Sequence, residues 1–176
     1  SARLAGKLVD DLLSFSQMGR AALRPTTVSM NELVRGCIEK LSADTRGRDV
    51  RWEVEDLPEV HADATFIQLA LYNLMANAVK FTGLKDTAVI RIGAERRADE
   101  SVFHIADNGA GFNMEYVHKL FGVFQRLHRM EDFQGTGIGL ANVRRIVERH
   151  GGRAWANSVP GEGATFSFSI PKELPV

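Results

Sequence analysis

Cysteine is all but missing from this chain. Cys37 is the only one in 176 residues, so no internal disulfide can form and a reducing compartment is the natural setting. It reads as a small buried residue. A surplus of charge is missing too: Lys and Arg total 22 and Asp and Glu total 22, which leaves no electrostatic footprint for nucleic acid or an anionic membrane surface. No apolar run reaches the roughly 18 residues of a membrane span, and there is no signal-peptide pattern, so the expected location is cytoplasmic. His118 and His128 lack zinc-ligand spacing with any Cys or carboxylate pattern, and no transition-metal site is expected. Internal repeats and low-complexity tracts are not evident. The missing initiating Met suggests a fragment of something longer.

What is present suits a soluble globular protein. With 44% hydrophobic and 25% charged residues the disordered and fibrous classes are excluded, and the length allows one well-cored domain plus a modest extension. Leu4, Leu8, Leu12, Phe15 and Met18 recur at helical spacing and predict an amphipathic helix at the start of the chain. It needs a partner for its apolar face. Pro25 interrupts the helical pattern, which places a linker over residues 23–28 between an extension of residues 1–22 and a main domain of residues 29–171, with 172–176 as a tail. Ser29-Met-Asn-Glu32 forms a capping box with Val28 and Leu33 at the staple positions, so a helix should start at residue 30 and run to about Thr45. Residues 50–54 alternate as a half-buried strand, His61 reads as structural, and Asp63 is a plausible N-cap for the next helix.

That next helix carries three polar groups inside an apolar run. Asn73, Asn77 and Lys80 are spaced by four and then three residues, which at about 100° per residue holds them within about a 60° arc. Ile67, Leu71, Leu74, Ala78 and Phe81 point to the neighbouring side, toward a core. Two amides and an ammonium at the edge of a core require partners, and no carboxylate is interleaved to supply one. A polyphosphate with its magnesium fits this face: magnesium takes hard oxygen ligands and keeps several waters, and a lysine neutralises phosphate charge. The competing reading is a helix with satisfied amides at its exposed edge.

Residues 87–95 and 101–107 read as a hairpin around a polar turn, and its second strand runs into Asp107-Asn-Gly-Ala-Gly111. A carboxylate followed by two glycines can accept a hydrogen bond while the backbone lets a flat ring approach; it would pair with the amino group of adenine and repel the carbonyl of guanine. A plain Asp-Asn-Gly turn is the alternative. Residues 112–134 form a long connection without clear period and read as a lid, with Phe121 and Phe124 as possible anchors or ordinary core residues. Arg126 could reach a terminal phosphate, whereas a solvated surface charge is the default. Gly135-Thr-Gly-Ile-Gly-Leu140 opens an amphipathic helix that ends at His150-Gly151-Gly152, and glycines there offer free N–H groups to phosphate. Rossmann and P-loop patterns do not match. Two final strands, residues 153–158 and 165–170, close the chain, the last with a strict alternation that predicts one buried face.

Taken in order, the Asn-rich helix, Asp107-x-Gly109-x-Gly111, Phe121-x-x-Phe124, Gly135-Thr-Gly-x-Gly-Leu140 and Gly161-x-Gly-Ala-Thr-Phe166 resemble the catalytic ATP-binding domain of sensor histidine kinases of two-component systems. That domain lies within the gyrase, chaperone and histidine-kinase ATPase superfamily, and the match covers about residues 29 to 171. The wording from Leu120 to His128 and from Gly135 to Arg145 is closest to the phytochrome-like branch. The resemblance implies an α+β fold, a two-layer sandwich with a mixed, largely antiparallel sheet of about five strands under three helices, preceded by an N-terminal helix. It implies ATP and Mg2+ as ligands, with Asn77 the magnesium ligand, Asn73 and Lys80 on the phosphates, and Phe81 lining the pocket. Asp107 would recognise adenine; Gly109 and Gly111 would shape the ring slot and Thr165 would close it. Leu120 and Arg126 would cover the nucleotide from the lid, with Gly135, Gly137, Gly139 and Leu140 beside the phosphates. Catalytic roles fall to Asn73, Lys80 and Arg126.

The activity implied is a protein histidine kinase with a phosphoacceptor helix and a response regulator as partners, homodimeric at full length. Residues 1–22 look like the end of the second helix of the dimerisation and phosphoacceptor hairpin, but none of the five histidines lies in an acceptor box. A clamp or chaperone ATPase of the same superfamily would use a glutamate where Asn73 stands, and an amide cannot serve as that base. An ATP-sensing or dimerisation module without transfer is the remaining alternative.

Overall fold

The computed structural model describes residues 2–122 and 137–174. Helix α1 (Ala2–Met18) is followed by strand β1 (Thr26–Val28), helix α2 (Met30–Leu41), strands β2 (Asp49–Val54) and β3 (Val60–Ala62), and helix α3 (Ala64–Phe81). Then come the hairpin β4 (Thr87–Arg96) and β5 (Glu100–Asp107), a short 3-10 helix (Met114–Lys119), helix α4 (Gly139–Arg149), and strands β6 (Ala154–Val159) and β7 (Gly163–Pro171).

Both helix starts expected from capping are present. Ser29 Oγ accepts from the Glu32 N–H at 3.3 Å, and Asp63 Oδ1 accepts from the Phe66 N–H at 3.2 Å. Helix α2 stops at Leu41 rather than near Thr45. Past Leu41 the hydroxyls turn back on the backbone: Ser42 Oγ donates to the Glu39 carbonyl at 2.6 Å and Thr45 Oγ1 to the Ser42 carbonyl at 3.2 Å, which favours turns over another helical turn.

Five strands form one sheet in the order β2-β4-β5-β7-β6, and only the β2–β4 pair is parallel. Ile90 and Ile92 of β4, Phe103 and Ile105 of β5, and Phe166, Phe168 and Ile170 of β7 pack on the inner face with Ile67, Leu71, Leu74 of α3 and Val143, Ile146, Val147 of α4. Phe103 and Phe168, cross-strand partners, stack with centroids 5.3 Å apart. The two-layer mixed sandwich implied by the resemblance is therefore the fold observed. A second, two-stranded sheet joins β1 to β3, so residues 26–28 pair with the body of the domain.

The alternation of β7 was expected to leave one face open, and the structure differs. Ser167 and Ser169 are as buried as their neighbours Phe166 and Phe168. β7 is an inner strand, and its neighbours lean over the serines: His104 Nδ1 lies 2.8 Å from Ser167 Oγ, and Ser169 Oγ accepts from the Arg153 N–H at 3.1 Å. Among the described residues no helix is long and apolar enough to cross a membrane.

Candidate functional site

Helix α3 sets one side of the site. Its apolar stripe is buried as expected, and Asn73, Asn77 and Lys80 lie half-buried along its flank. The helix contains no Asp or Glu, so Lys80 is its one charged residue. Asn73 Nδ2 is buried with no hydrogen-bond partner among the described residues.

The first turn of α4 faces this flank. A Cβ built on Gly139 would lie 3.6 Å from Asn73 Oδ1, so the two helices meet at van der Waals distance there. Ile138, the N-cap, offers no side-chain hydrogen bond, and no acidic residue lies in the first turn. The leading N–H groups of α4 are therefore not met by its own cap, and the positive end of the helix dipole adds to them. Gly137 enters this turn with φ +78°, and Leu140 is half-buried against the core. Gly135, Arg126 and Phe124 lie outside the described residues.

The second half of the site hangs from the other end of α3. The Ala110 N–H donates to the Phe81 carbonyl at 3.0 Å, tying the loop after β5 to the last residue of the helix. Gly109 packs so closely that a Cβ there would collide with the Phe81 carbonyl, and Gly111 combines φ +66° with contact to the Val159 carbonyl. Only glycine meets both demands. Asp107 ends β5 with its Oδ1 accepting from the Gly109 N–H at 2.8 Å. Burial lifts its carboxyl above the ordinary value, and hydrogen bonds from the Gly109 and Ala164 backbones oppose the rise. Thr165 pairs with Ala106, one residue from Asp107, and is half-buried. Leu120 and Phe121 are buried in the core; Phe121 meets Phe166 edge-on at 6.4 Å.

Two anchoring residues were not singled out from the sequence. Asn108 accepts from the Val89 N–H at 2.9 Å and donates to the Thr87 carbonyl at 3.0 Å, clamping the loop to β4. Ser158 Oγ donates to the Gly163 carbonyl at 2.6 Å and accepts from the Phe112 N–H at 2.8 Å. The Asp-Asn-Gly wording hinted at the first; nothing local marked the second, because Phe112, which it holds, lies 46 positions away.

The arrangement pairs an anion-friendly helix start with a recessed carboxylate beside a glycine slot. Residues 62–174 match the family described as histidine kinase-, DNA gyrase B-, and HSP90-like ATPase. The chain belongs to this ATPase family. Among curated relatives of this ATPase domain, the phytochrome-like protein Cph1 of Synechocystis is 37% identical over 164 residues, covering 93% of this chain and 22% of its own length. The chain spans about a fifth of such relatives. Full-length ShkA, solved in complex with AMPPNP, superposes with a TM-score of 0.78 at 30% identity over 97% of this chain and 36% of its own. Histidine kinase ThkA, solved with the response regulator protein TrrA, gives a TM-score of 0.75 at 26% identity over 96% of this chain and 47% of its own. The fold is that of an ATP-binding catalytic domain of the histidine kinase type.

Proposed function

We propose that this domain transfers the γ-phosphoryl group of ATP to a histidine on a phosphoacceptor helix, within two-component signalling. The observation that carries the reading is the composition of the α3 flank: Asn73, Asn77 and Lys80, with no carboxylate on the helix to activate water, set against the open first turn of α4. A phosphate cradle without a water-activating base favours transfer over hydrolysis. The histidine acceptor needs little help, since an imidazole of ordinary pKa, about 6.5, is largely neutral at pH 7 and keeps a nitrogen lone pair for attack.

The donor set fits magnesium. Asn77 is half-buried and offers a hard amide oxygen free of the repulsion a carboxylate would exert on a triphosphate. Asn77 is the residue proposed to hold the ion, which when bound neutralises charge on the phosphates. Asn73 and Lys80 then bind phosphate oxygens, Asp107 accepts from the adenine amino group, and Gly109 and Gly111 admit the ring. Arg126 is proposed to reach the terminal phosphate.

Helix α1 is proposed to be the end of the second helix of a dimerisation hairpin. Support comes from its docking on the domain near its C-terminus, where Arg145 stacks on Phe15 with 4.5 Å to the ring centroid and Arg149 donates to the Met18 carbonyl. Val9 and Leu13, farther back, remain exposed. A response regulator is the proposed downstream partner, by analogy with the ThkA complex.

The test is transfer of label from γ-labelled ATP to a separately supplied phosphoacceptor hairpin. Acid-labile label on histidine, lost in Asn77→Ala, is the expected result. ATP binding without label on a competent hairpin would favour a nucleotide-sensing module that has no transfer activity.

A further inference from the structure

Two buried amide groups without partners lie in the seam between α3 and α4, and they are of opposite kind. Asn73 Nδ2 is a donor; Asn142 Oδ1 is an acceptor; neither meets a hydrogen-bond partner among the described residues. Asn142 is 3% exposed. Unpaired buried polar groups are rare in native proteins and call for a reason.

The packing of the helices places these two within about one turn of each other along the seam. The His150 ring, at the C-terminal end of α4, takes the Asp63 N–H on Nε2 at 3.0 Å, while Gly139, at its N-terminal end, faces Asn73. The helices therefore run antiparallel, with ten residues of α3 spanning eleven of α4. Gly139, Asn142 and Ile146 share the α4 stripe that faces α3, because residues three or four apart lie on one face. Asn142 thus sits one turn in from Gly139, level with the turn of α3 just before Asn73. Side chains on a helix lean toward its N-terminus, so Asn73 leans toward that level and Asn142 leans back toward Gly139. In antiparallel helices these directions converge.

We infer that Asn142 is a positioning residue that sets the sense of the Asn73 amide. Its carbonyl takes the Asn73 NH2 group, a bond that this structure leaves unformed and that a small rotation of either amide completes, and the Asn73 oxygen is thereby held on the Gly139 side, where the structure already places it. Asn73 then presents an acceptor, not a donor, to the first turn of α4. In that orientation it would reach phosphate oxygens through a water rather than by donating to them directly. The consequence for nucleotide rests on the phosphate-site reading above; the pairing itself does not.

Side-chain amide NMR of the 15N-labelled, nucleotide-free domain tests the pairing. The Asn73 NH2 signals, identified by their loss in Asn73→Asp, should exchange slowly with solvent and lose about tenfold or more of that protection in Asn142→Leu and Asn142→Ala. Unchanged Asn73 signals in either folded variant would overturn the pairing. Affinity for magnesium-ATP tests the consequence: Asn142→Ala should weaken binding about tenfold, and the double variant with Asn73→Ala should bind no more weakly than Asn73→Ala alone. Additive losses would overturn action through Asn73. Should the wild-type domain not bind magnesium-ATP at all, the phosphate-site reading falls while the NMR result still decides the pairing.

Discussion

The backbone carbonyl of Phe81 accepts the N–H of Ala110 at 3.0 Å, joining the last residue of helix α3 to the glycine loop that follows Asp107. One helix therefore carries the amide flank along its side and holds the Asp107 loop at its end. Whatever moves that end moves both halves of the site.

Gly109 is the contact that this junction tolerates least. A methyl group there meets the Phe81 carbonyl and then the Asp107 carboxylate, and neither can withdraw without loosening a hydrogen bond. Gly109→Ala is expected to cost about 3 kcal/mol of stability, at the upper end of ordinary substitutions, and to weaken ATP binding more than tenfold. Urea denaturation and calorimetric titration with ATP measure the two losses separately.

Asp107 should confer base selectivity. Asp107→Asn replaces an acceptor-only group by a mixed one, and the loss of a charge-assisted hydrogen bond, about 1.5–3 kcal/mol, should narrow the preference for ATP over GTP by at least tenfold. Because burial raises the folded carboxyl pKa, the neutral form is favoured by folding: the contribution to stability is full below the unfolded value of 3.8 and is lost as pH rises through the folded one. ATP affinity should move the opposite way, strengthening as pH rises through the same window while Asp107 ionises. Titrations at several pH values on wild type and Asp107→Asn check this, the variant being expected to show a flat profile.

His150 links the far ends of the two site helices in its neutral form. Its Nδ1–H donates to the Ile146 carbonyl at 2.8 Å and its Nε2 accepts from the Asp63 N–H, a role that a protonated ring cannot fill. Burial holds its pKa below the usual histidine value. The contribution of the neutral ring is full above the unfolded pKa of 6.5 and is lost as pH falls toward the depressed folded value. The urea midpoint should therefore drop between pH 7.5 and pH 5.5, and His150→Gln should remove most of that slope while lowering stability at the higher pH by about 1–3 kcal/mol.

Much of the local architecture was legible because local rules act over three or four residues. Ser29 and Asp63 cap the helices they precede, Gly151 adopts φ +81° just past α4, and the α3 face of Asn73, Asn77 and Lys80 follows from a period of 3.6. The end of α2 was misjudged because Ser42 and Thr45 compete for backbone carbonyls through their hydroxyls, an effect that apolar spacing does not carry. The burial of Ser167 and Ser169 was missed because it depends on β7 being flanked on both sides.

By itself, the sequence determined the chemistry on offer: which helix face is polar, that it lacks a carboxylate, and which residues at the Asp107 loop are glycine. These are properties of side-chain type and spacing. Only the tertiary structure decided what those groups meet. The parallel entry of β2 beside β4, the antiparallel seat of α4 on α3, and the clamps that Asn108 makes to Val89 and Ser158 to Phe112 join residues from about 20 to about 90 positions apart. Burial and hydrogen-bond satisfaction select such pairings over the whole chain at once, and no window of neighbouring residues contains them.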